Sequence, residues 1–132
     1  MADTSSTTSF KADISQLKSA MQQAKRQVAL ANSEFKAASA SMDDWSTNSD
    51  GLKAKLKQLT TTLDSQKKQL SLLEDEYEKT TTEYGENSAA ADRVKIAINN
   101  MKASIANTES QLDKYETELK DCEEGTGKFS NE

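Results

Sequence analysis

The sequence predicts an all-α protein built as a heptad-patterned coiled coil. Apolar residues recur alternately four and three positions apart through residues 10–122, which is the a/d pattern of a coiled-coil seam. The chain has no proline and only four glycines, so little in it interrupts a helix. Hydrophobic residues make up 34% of the chain and charged residues 30%, a balance typical of long helices with one narrow apolar stripe.

The first predicted helix covers residues 10–45. Residues 1–9 are small and polar, and we expect them to form a flexible arm. The helix's seam is formed by Phe10, Ile14, Leu17, Met21, Ala24, Val28, Ala31, Phe35, Ala38, Met42 and Trp45. Residues 46–51 form the densest turn-forming run in the chain, and they predict a turn that includes Gly51. We expect Trp45, next to that turn, to close the end of the helical core.

The second predicted helix, residues 52–84, is the richest in leucine, and the rest of the chain is organised around it. Its seam is formed by Leu52, Leu56, Leu59, Leu63, Gln66, Leu70, Leu73, Tyr77, Thr80 and Tyr84. Gly85 predicts a turn at its end, because glycine suits the position just past a helix. The third helix covers residues 88–122, after an N-cap at Asn87 or Ser88. Its seam is formed by Ala91, Val94, Ile98, Met101, Ile105, Thr108, Leu112, Tyr115, Leu119 and Cys122. We expect residues 123–132 to form a flexible tail.

Two architectures fit this pattern. The three segments of about 35 residues share one heptad phase, which one continuous extended coiled-coil rod would preserve automatically. The turn-forming residues around Gly51 and Gly85 favour instead an antiparallel three-helix arrangement, which is our prediction, with the rod as the alternative. A hairpin centred near Gly51 would place Ala31 opposite Leu70.

The composition argues against an enzyme. There is no histidine, so the usual general base and the commonest metal ligand are missing, and the single Cys122 cannot make a structural zinc site. The glycines are scattered rather than grouped in a phosphate-binding loop. The acidic run at residues 74–78 fans around its helix and is best interpreted as a solvated face. We therefore predict no catalytic, metal or cofactor site.

Charge and hydropathy argue against two kinds of partner, nucleic acids and membranes. The net charge is −5, without a basic face, which argues against direct binding to nucleic acid. No apolar run approaches the roughly 18–20 residues of a membrane span. The start of the chain, MADTSSTTS, lacks the basic and apolar regions of a signal peptide. We expect a soluble, cytoplasmic chain that makes no membrane contact.

Four stretches carry a family resemblance. They are SEFKAASASMDDW at residues 33–45, DGLKAKLKQL at 50–59, SQKKQLSLLEDEYEKT at 65–80 and YGENSAAADRVKIAINNMKASIANTESQL at 84–112. In this order they resemble the N-terminal region of tail tape measure proteins of long-tailed phages and prophages of Gram-positive bacteria. The resemblance covers roughly residues 10–122. Each stretch alone is a low-complexity helical pattern, so specificity rests on the order.

The resemblance implies a structural function. Tape measure proteins are helical rulers and scaffolds around which the tail tube polymerises and which set tail length. The implied partners are further copies of the chain, as in a trimer, together with the tail tube protein and tail assembly chaperones. The implied locations are the bacterial host cytoplasm during assembly and the tail lumen of the virion. Family members are far longer, so we expect this chain to be a fragment or a truncated product.

Two other classes share parts of the pattern. One is a general coiled-coil adaptor or scaffold. The other is a small secreted helical hairpin, in which a tryptophan and a glycine lie close together in the turn. Here five residues separate Trp45 from Gly51. Neighbouring tail genes would favour the phage interpretation, and a neighbouring secretion ATPase gene would favour the hairpin class.

Overall fold

Three long helices make up almost all of the protein. The computed structural model describes the backbone of residues 3–124 and the side chains of residues 15–124. Helix α1 spans Asp3–Ser39, α2 spans Ser49–Tyr84 and α3 spans Ala89–Glu124. A single 3₁₀ turn, Trp45–Thr47, lies between α1 and α2, and no strand occurs within residues 3–124. The all-α prediction is confirmed, and the chain forms separate helices rather than one continuous helix.

Helix α1 is shifted toward the N-terminus relative to the predicted helix at residues 10–45. It already includes residues 3–9, where a flexible arm was predicted, so that prediction is wrong for these residues. Serine and threonine are only modestly poorer helix formers than alanine, and no glycine or proline lies there to stop the helix. At its other end α1 stops at Ser39, whose hydroxyl donates to the Phe35 carbonyl oxygen (2.9 Å).

The connection from α1 to α2 is built on two side-chain caps. Asp44 caps the 3₁₀ turn, accepting from the backbone N–H of Ser46 at 3.0 Å. Asn48 caps α2, and its side-chain oxygen accepts from the backbone N–H of Gly51 at 3.1 Å. Because Asn48 satisfies an amide that would otherwise lack a partner, α2 begins at Ser49. Gly51 therefore lies inside the first turn of α2, and the prediction of a turn there is wrong.

The connection from α2 to α3 is short. Gly85 ends α2 with φ of 94°, and its N–H donates to the Thr81 carbonyl oxygen at 2.8 Å. This is the left-handed region that glycine enters without a steric cost, at the place where the sequence puts a turn. The Ser88 hydroxyl then accepts from the Ala91 N–H at 3.0 Å and caps α3. Residues 123–124, predicted as tail, belong to α3, and residues 1–2 and 125–132 lie outside the described part of the chain.

Helix α2 is the central element, with α1 on one face. The Ser65 hydroxyl donates to the Ala24 carbonyl oxygen at 2.6 Å, and the Gln58 amide donates to the Asn32 side-chain oxygen at 2.8 Å. These pairs centre the α1–α2 connection near residue 45 rather than on Gly51. Ala31 accordingly lines a cavity with Gln58 and Thr61, and the predicted Ala31–Leu70 pairing is wrong. The centre moves because α1 ends and α2 begins earlier than the sequence suggests.

Helix α3 lies on a different face of α2. The Thr108 hydroxyl donates to the Gln66 side-chain oxygen at 2.8 Å, and the Lys53 ammonium lies 3.1 Å from a Glu123 carboxylate oxygen. Helices α1 and α3 each pack mainly on α2 rather than on each other. The described core is small, and its buried hydrophobic residues are Ala24, Ala31, Leu52, Leu59, Leu73, Ala91 and Ile98.

Candidate functional site

An aromatic cluster joins all three helices at one end of α2. The Trp45 ring makes an edge-on contact with Phe35 of α1, with centroids 5.1 Å apart and planes at 87°. On its other side it packs against Tyr115 of α3, at 5.4 Å and 58°. Edge-to-face aromatic pairs contribute about 0.5–1.5 kcal/mol beyond the area they bury. Trp45 thus links the first and third helices, which otherwise meet mainly through α2.

Lys55 supplies the contribution of α2 to this cluster. Its ammonium lies 4.8 Å from the centroid of the Phe35 ring and 5.5 Å from that of Trp45. Both distances are within the range of cation–π attraction. Burial lowers the pKa of the Lys55 ammonium below its usual value of 10.5. The lysine therefore covers two aromatic faces at the cost of part of its hydration.

Gly51 lets the Trp45 turn fold onto the start of α2. A Cβ placed on Gly51 would lie 2.7 Å from the Trp45 Cα, 2.8 Å from its Cβ, and closer still to its carbonyl oxygen. Real Cβ atoms essentially never approach other atoms so closely, and two of these three atoms are backbone. A residue with any side chain at position 51 would push the turn away from α2. The Trp45 cluster, which we define as Phe35, Trp45, Gly51, Lys55 and Tyr115, depends on this glycine.

Side-chain hydrogen bonds cross the interface between α1 and α2 beside the buried Ala24 and Ala31. Ser65, which bonds the Ala24 carbonyl, also accepts from the Gln69 amide at 3.1 Å, and both side chains are buried. Further along α2, Thr80 donates to the Glu76 carboxylate of the same helix at 3.1 Å, and both side chains are buried. Buried polar groups of this kind are stable only when they are hydrogen-bonded.

The α1–α2 interface is also incompletely filled. A cavity of about 150 Å³ lies between Ala31, Phe35, Ala54 and Gln58. Two more open spaces follow along the interface, near Leu30 with Asp64 and near Leu17 with Leu72. The buried Gln58 Oε1 has no hydrogen-bond partner among the described residues. The packing between α1 and α2 is therefore less complete there than in a close-packed core.

Most predicted seam residues lie between helices. The buried ones are Ala24, Ala31, Leu52, Leu59, Leu73, Thr80, Ala91, Ile98 and Thr108. The half-buried ones are Leu17, Met21, Val28, Phe35, Met42, Trp45, Leu56, Leu63, Gln66, Leu70, Tyr77, Val94, Met101, Ile105, Leu112, Tyr115, Leu119 and Cys122. Phe10 and Ile14 lie outside the residues whose side chains are described. Among the seam residues with described side chains, Ala38 and Tyr84 are exposed. Of the two predicted turn residues, Gly51 is buried and Gly85 is exposed.

Sequence reasoning missed a second stripe on α2. Its members recur four and three residues apart like the seam, and all are buried or half-buried: Gln58, Thr62, Ser65, Gln69, Leu72 and Glu76. Because most of them are polar, hydropathy gives no signal for a second contact face. The single hint is Leu72, an aliphatic residue off the seam, which lies near Leu17 and Ala20 of α1. Leu30 and Ile96, the other off-seam aliphatics, are 61% and 59% exposed.

The described residues offer packing surfaces. Within residues 3–124, no helix is long and apolar enough to cross a membrane. In the same part of the chain, no group of three or more His, Cys, Asp or Glu side chains is placed to hold a metal ion. Cys122 is a free, half-buried thiol on α3. The geometry provides a joint, the Trp45 cluster, and two helices that each pack on α2.

Comparisons with known proteins return no match. No protein-family model, curated protein or solved structure is significantly similar to this chain. The resemblance to tape measure proteins therefore rests only on the four stretches named above and on their order along the sequence.

Proposed function

We propose that this chain is a structural, non-enzymatic module from the N-terminal region of a phage tail tape measure protein. In this proposal the three helices form an antiparallel coiled coil that acts as scaffold and ruler during tail assembly. Its partners are further copies of itself, the tail tube protein and tail assembly chaperones. It works in the host cytoplasm during assembly and in the tail lumen of the virion.

The antiparallel arrangement is supported by the contacts that cross between helices. Residue numbers rise along one helix as they fall along its neighbour, from Ala24 with Ser65 to Asn32 with Gln58. The same holds between α2 and α3, where Lys95 lies over the Tyr77 ring and Lys53 meets Glu123. Side chains that meet in this order support the proposal that neighbouring helices run in opposite directions.

One observation carries the functional proposal. Three residues of the stretches that resemble tape measure proteins lie at structural boundaries of this chain: Trp45 in the aromatic cluster, Gly51 in the first turn of α2, and Gly85 at its end. A helix also suits a ruler, because its length is proportional to its residue number, about 1.5 Å per residue.

The folded-back form and the straight rod predict different contributions of this region to tail length. Helix α2 has 36 residues and spans about 54 Å. A folded-back module contributes this one helix length to a tail, whereas a continuous rod would contribute the sum of three.

Matched deletions in the full-length parent protein test both the ruler function and the folded form. Removing residues 58–71 takes two heptads out of α2. A second variant also removes the facing residues 18–31 and 103–116, so that the three helices stay matched. A folded-back ruler predicts that this triple deletion shortens the tail by about 21 Å, since fourteen residues span 1.5 Å each. A straight rod predicts about 63 Å for the same variant.

Electron microscopy of assembled tails provides the measurement. The single deletion should impair assembly in the folded-back case, because α1 and α3 then overhang a shortened α2, and should shorten a straight rod by about 21 Å. Infectious particles with unchanged tail length in both variants would show that this region is not a ruler, and would favour a general coiled-coil adaptor.

A further inference from the structure

We infer that one face of α1 is a self-association surface, on which a second copy of this chain packs its own α1 in the opposite direction. We call it the Leu30 face and define it by Gln23, Arg26, Gln27, Leu30 and Glu34. These residues lie off the seam with which α1 packs on α2, so each copy keeps its own fold in the pair. The inference does not depend on the proposed phage function, because a strictly monomeric chain would contradict it whatever tail lengths the deletions give.

The Leu30 face repeats the residues with which α2 contacts α1. The triplet Gln27, Leu30 and Glu34 recurs 42 residues later as Gln69, Leu72 and Glu76. Because 42 residues are six heptads, both triplets occupy the same positions of the repeat. On α2, Gln69 and Glu76 are buried, and Leu72 is half-buried beside α1. This combination of side chains is therefore one that binds a helix within the chain itself.

Helix α3 shows which residue the middle position carries when it faces water. A further 42 residues along, the triplet is Gln111, Lys114 and Glu118, and Lys114 is exposed. Lysine and leucine have nearly the same helix propensity, so α1 does not need leucine at this position to form a helix. Leu30 is nevertheless 61% exposed in the single chain. A leucine where α2 has a covered leucine and α3 has an exposed lysine indicates that a helix from outside the chain covers Leu30.

The charges of the Leu30 face are complementary to those of the same face turned round. Arg26 and Glu34 are both exposed, and neither forms an ion pair with another described side chain of its own chain. In an antiparallel pair centred midway between Gln27 and Leu30, Arg26 lies about 4.5 Å along the axis from the partner's Glu34, three residues at 1.5 Å each. Two-fold symmetry forms this ion pair twice. A parallel pair in register would instead place Arg26 beside the partner's Arg26.

The same arrangement covers the exposed leucine. Leu30 and the partner's Leu30 lie about 4.5 Å apart along the axis and can pack on each other. An open groove of about 270 Å³ between α1 and α2, lined by Leu30, Glu34, Thr61 and Asp64 among others, leaves room for the incoming side chain. Because one helix face of each copy takes part, we expect a contact below the roughly 1,200 Å² of stable complexes and a weak dimer, with a Kd of about 100 µM.

A substitution that copies α3 tests the surface. Sedimentation equilibrium between about 10 µM and 1 mM protein measures the Kd. Leu30→Lys places a charge at the centre of the contact, and we expect it to raise the Kd about tenfold or more. Ile96→Lys is the matched control, because Ile96 is an aliphatic residue of α3 with nearly the same exposure, 59%. It should leave the Kd within about twofold of the original.

A charge exchange tests the antiparallel direction. Arg26→Glu or Glu34→Arg alone brings like charges together between the copies, and each should raise the Kd about fivefold at low salt. The two substitutions combined in one chain restore opposite charges, so the Kd should return to within about twofold of the original. Far-UV circular dichroism checks that each variant is folded, which we expect because all three positions are exposed.

Three results would overturn the inference. The first is a chain that stays monomeric at about 1 mM, where a contact of this size should already be populated. The second is a dimer that Leu30→Lys leaves unchanged or that Ile96→Lys weakens equally, since the contact would then lie elsewhere. The third is a combined Arg26 and Glu34 exchange that fails to restore the dimer. If Leu30→Lys does not fold, the charge exchange decides alone.

Discussion

At the scale of single residues, the turn between α1 and α2 concentrates the least replaceable side chains. Trp45 touches α1 and α3, Lys55 covers two aromatic rings, and Gly51 makes room for the Trp45 backbone. The leucines of the seam, by contrast, all have the same role, since each packs in one layer between helices. A change at the turn therefore affects the relation between helices, whereas a conservative change in the seam affects one layer of packing.

Removing the Trp45 ring should destabilise the whole protein. We expect Trp45→Ala to lower the free energy of unfolding by about 2–3 kcal/mol, less than for a fully buried aromatic because Trp45 is only half-buried. Trp45→Phe keeps a ring between Phe35 and Tyr115 and should cost less than half as much. Urea titration followed by circular dichroism measures both. Leu30→Ala, at a 61% exposed site, is the control; an equal loss for Leu30→Ala and Trp45→Ala would contradict the role given to the cluster.

The Asp44 cap should make the turn sensitive to acid. The Ser46 hydroxyl and backbone N–H both donate to the Asp44 carboxylate and hold its pKa below the usual 3.8. Since the folded pKa is depressed, the cap is fully formed above the unfolded value and is lost as the pH falls through the folded one. Trp45 fluorescence, one residue away, should therefore change below about pH 4. Asp44→Asn should remove that transition; a transition of unchanged midpoint and amplitude in the variant would assign it to another group.

At the scale of elements, hydropathy predicts one face of each helix well and misses the other face of α2. The leucine seam defines that helix and the side facing α3, because apolar burial leaves a periodic pattern. The α1 side is made of Ser65, Gln69 and Glu76, residues usually found at the surface, so pattern reasoning has no means to detect it. The caps at Asn48 and Ser88 follow known preferences, but which of several polar residues acts as a cap depends on tertiary packing.

The Gln66–Thr108 pair should behave differently when one or both partners are replaced. Thr108→Val alone leaves the half-buried Gln66 side-chain oxygen without its partner in the α2–α3 interface and should cost about 1–2 kcal/mol. Gln66→Leu alone should cost less, because the Thr108 hydroxyl still donates to the Ser104 carbonyl oxygen at 3.0 Å. The double variant removes both groups, so we expect its stability to equal or exceed that of the original protein. Urea unfolding of the four proteins completes a double-mutant cycle. Additive losses in the double variant would mean that the two side chains are not coupled.

At the scale of the whole molecule, the chain is a short, thick rod. Three helices of 37, 36 and 36 residues lie side by side, each about 55 Å long. The sequence predicts their number and type. In our proposal the chain folds back at both connections, and Gly51 beside Trp45 and Gly85 at the end of α2 favour that form. Heptad phase could not decide between folding back and running straight, because it is the same in both forms.

Small-angle X-ray scattering should report this shape directly. For the monomer we expect a maximum dimension of about 60 Å, one helix length plus side chains, whereas a single continuous helix over the described residues would give about 180 Å. Measurement at several concentrations separates the monomer from any dimer. A monomer longer than about 100 Å would contradict the folded-back arrangement.

The central position of α2 has a consequence for the order in which the protein is made. α1 leaves the ribosome first, yet its seam has no partner until α2 has been synthesised. At roughly 5–20 residues per second, that takes several seconds. During this interval neighbouring nascent chains on one messenger RNA present identical unpaired first helices, each beside the α2 of another chain as it emerges. During translation, α1 of one chain can therefore pair briefly with another chain. This pairing ends when the chain's own α2 and its Trp45 turn have been made.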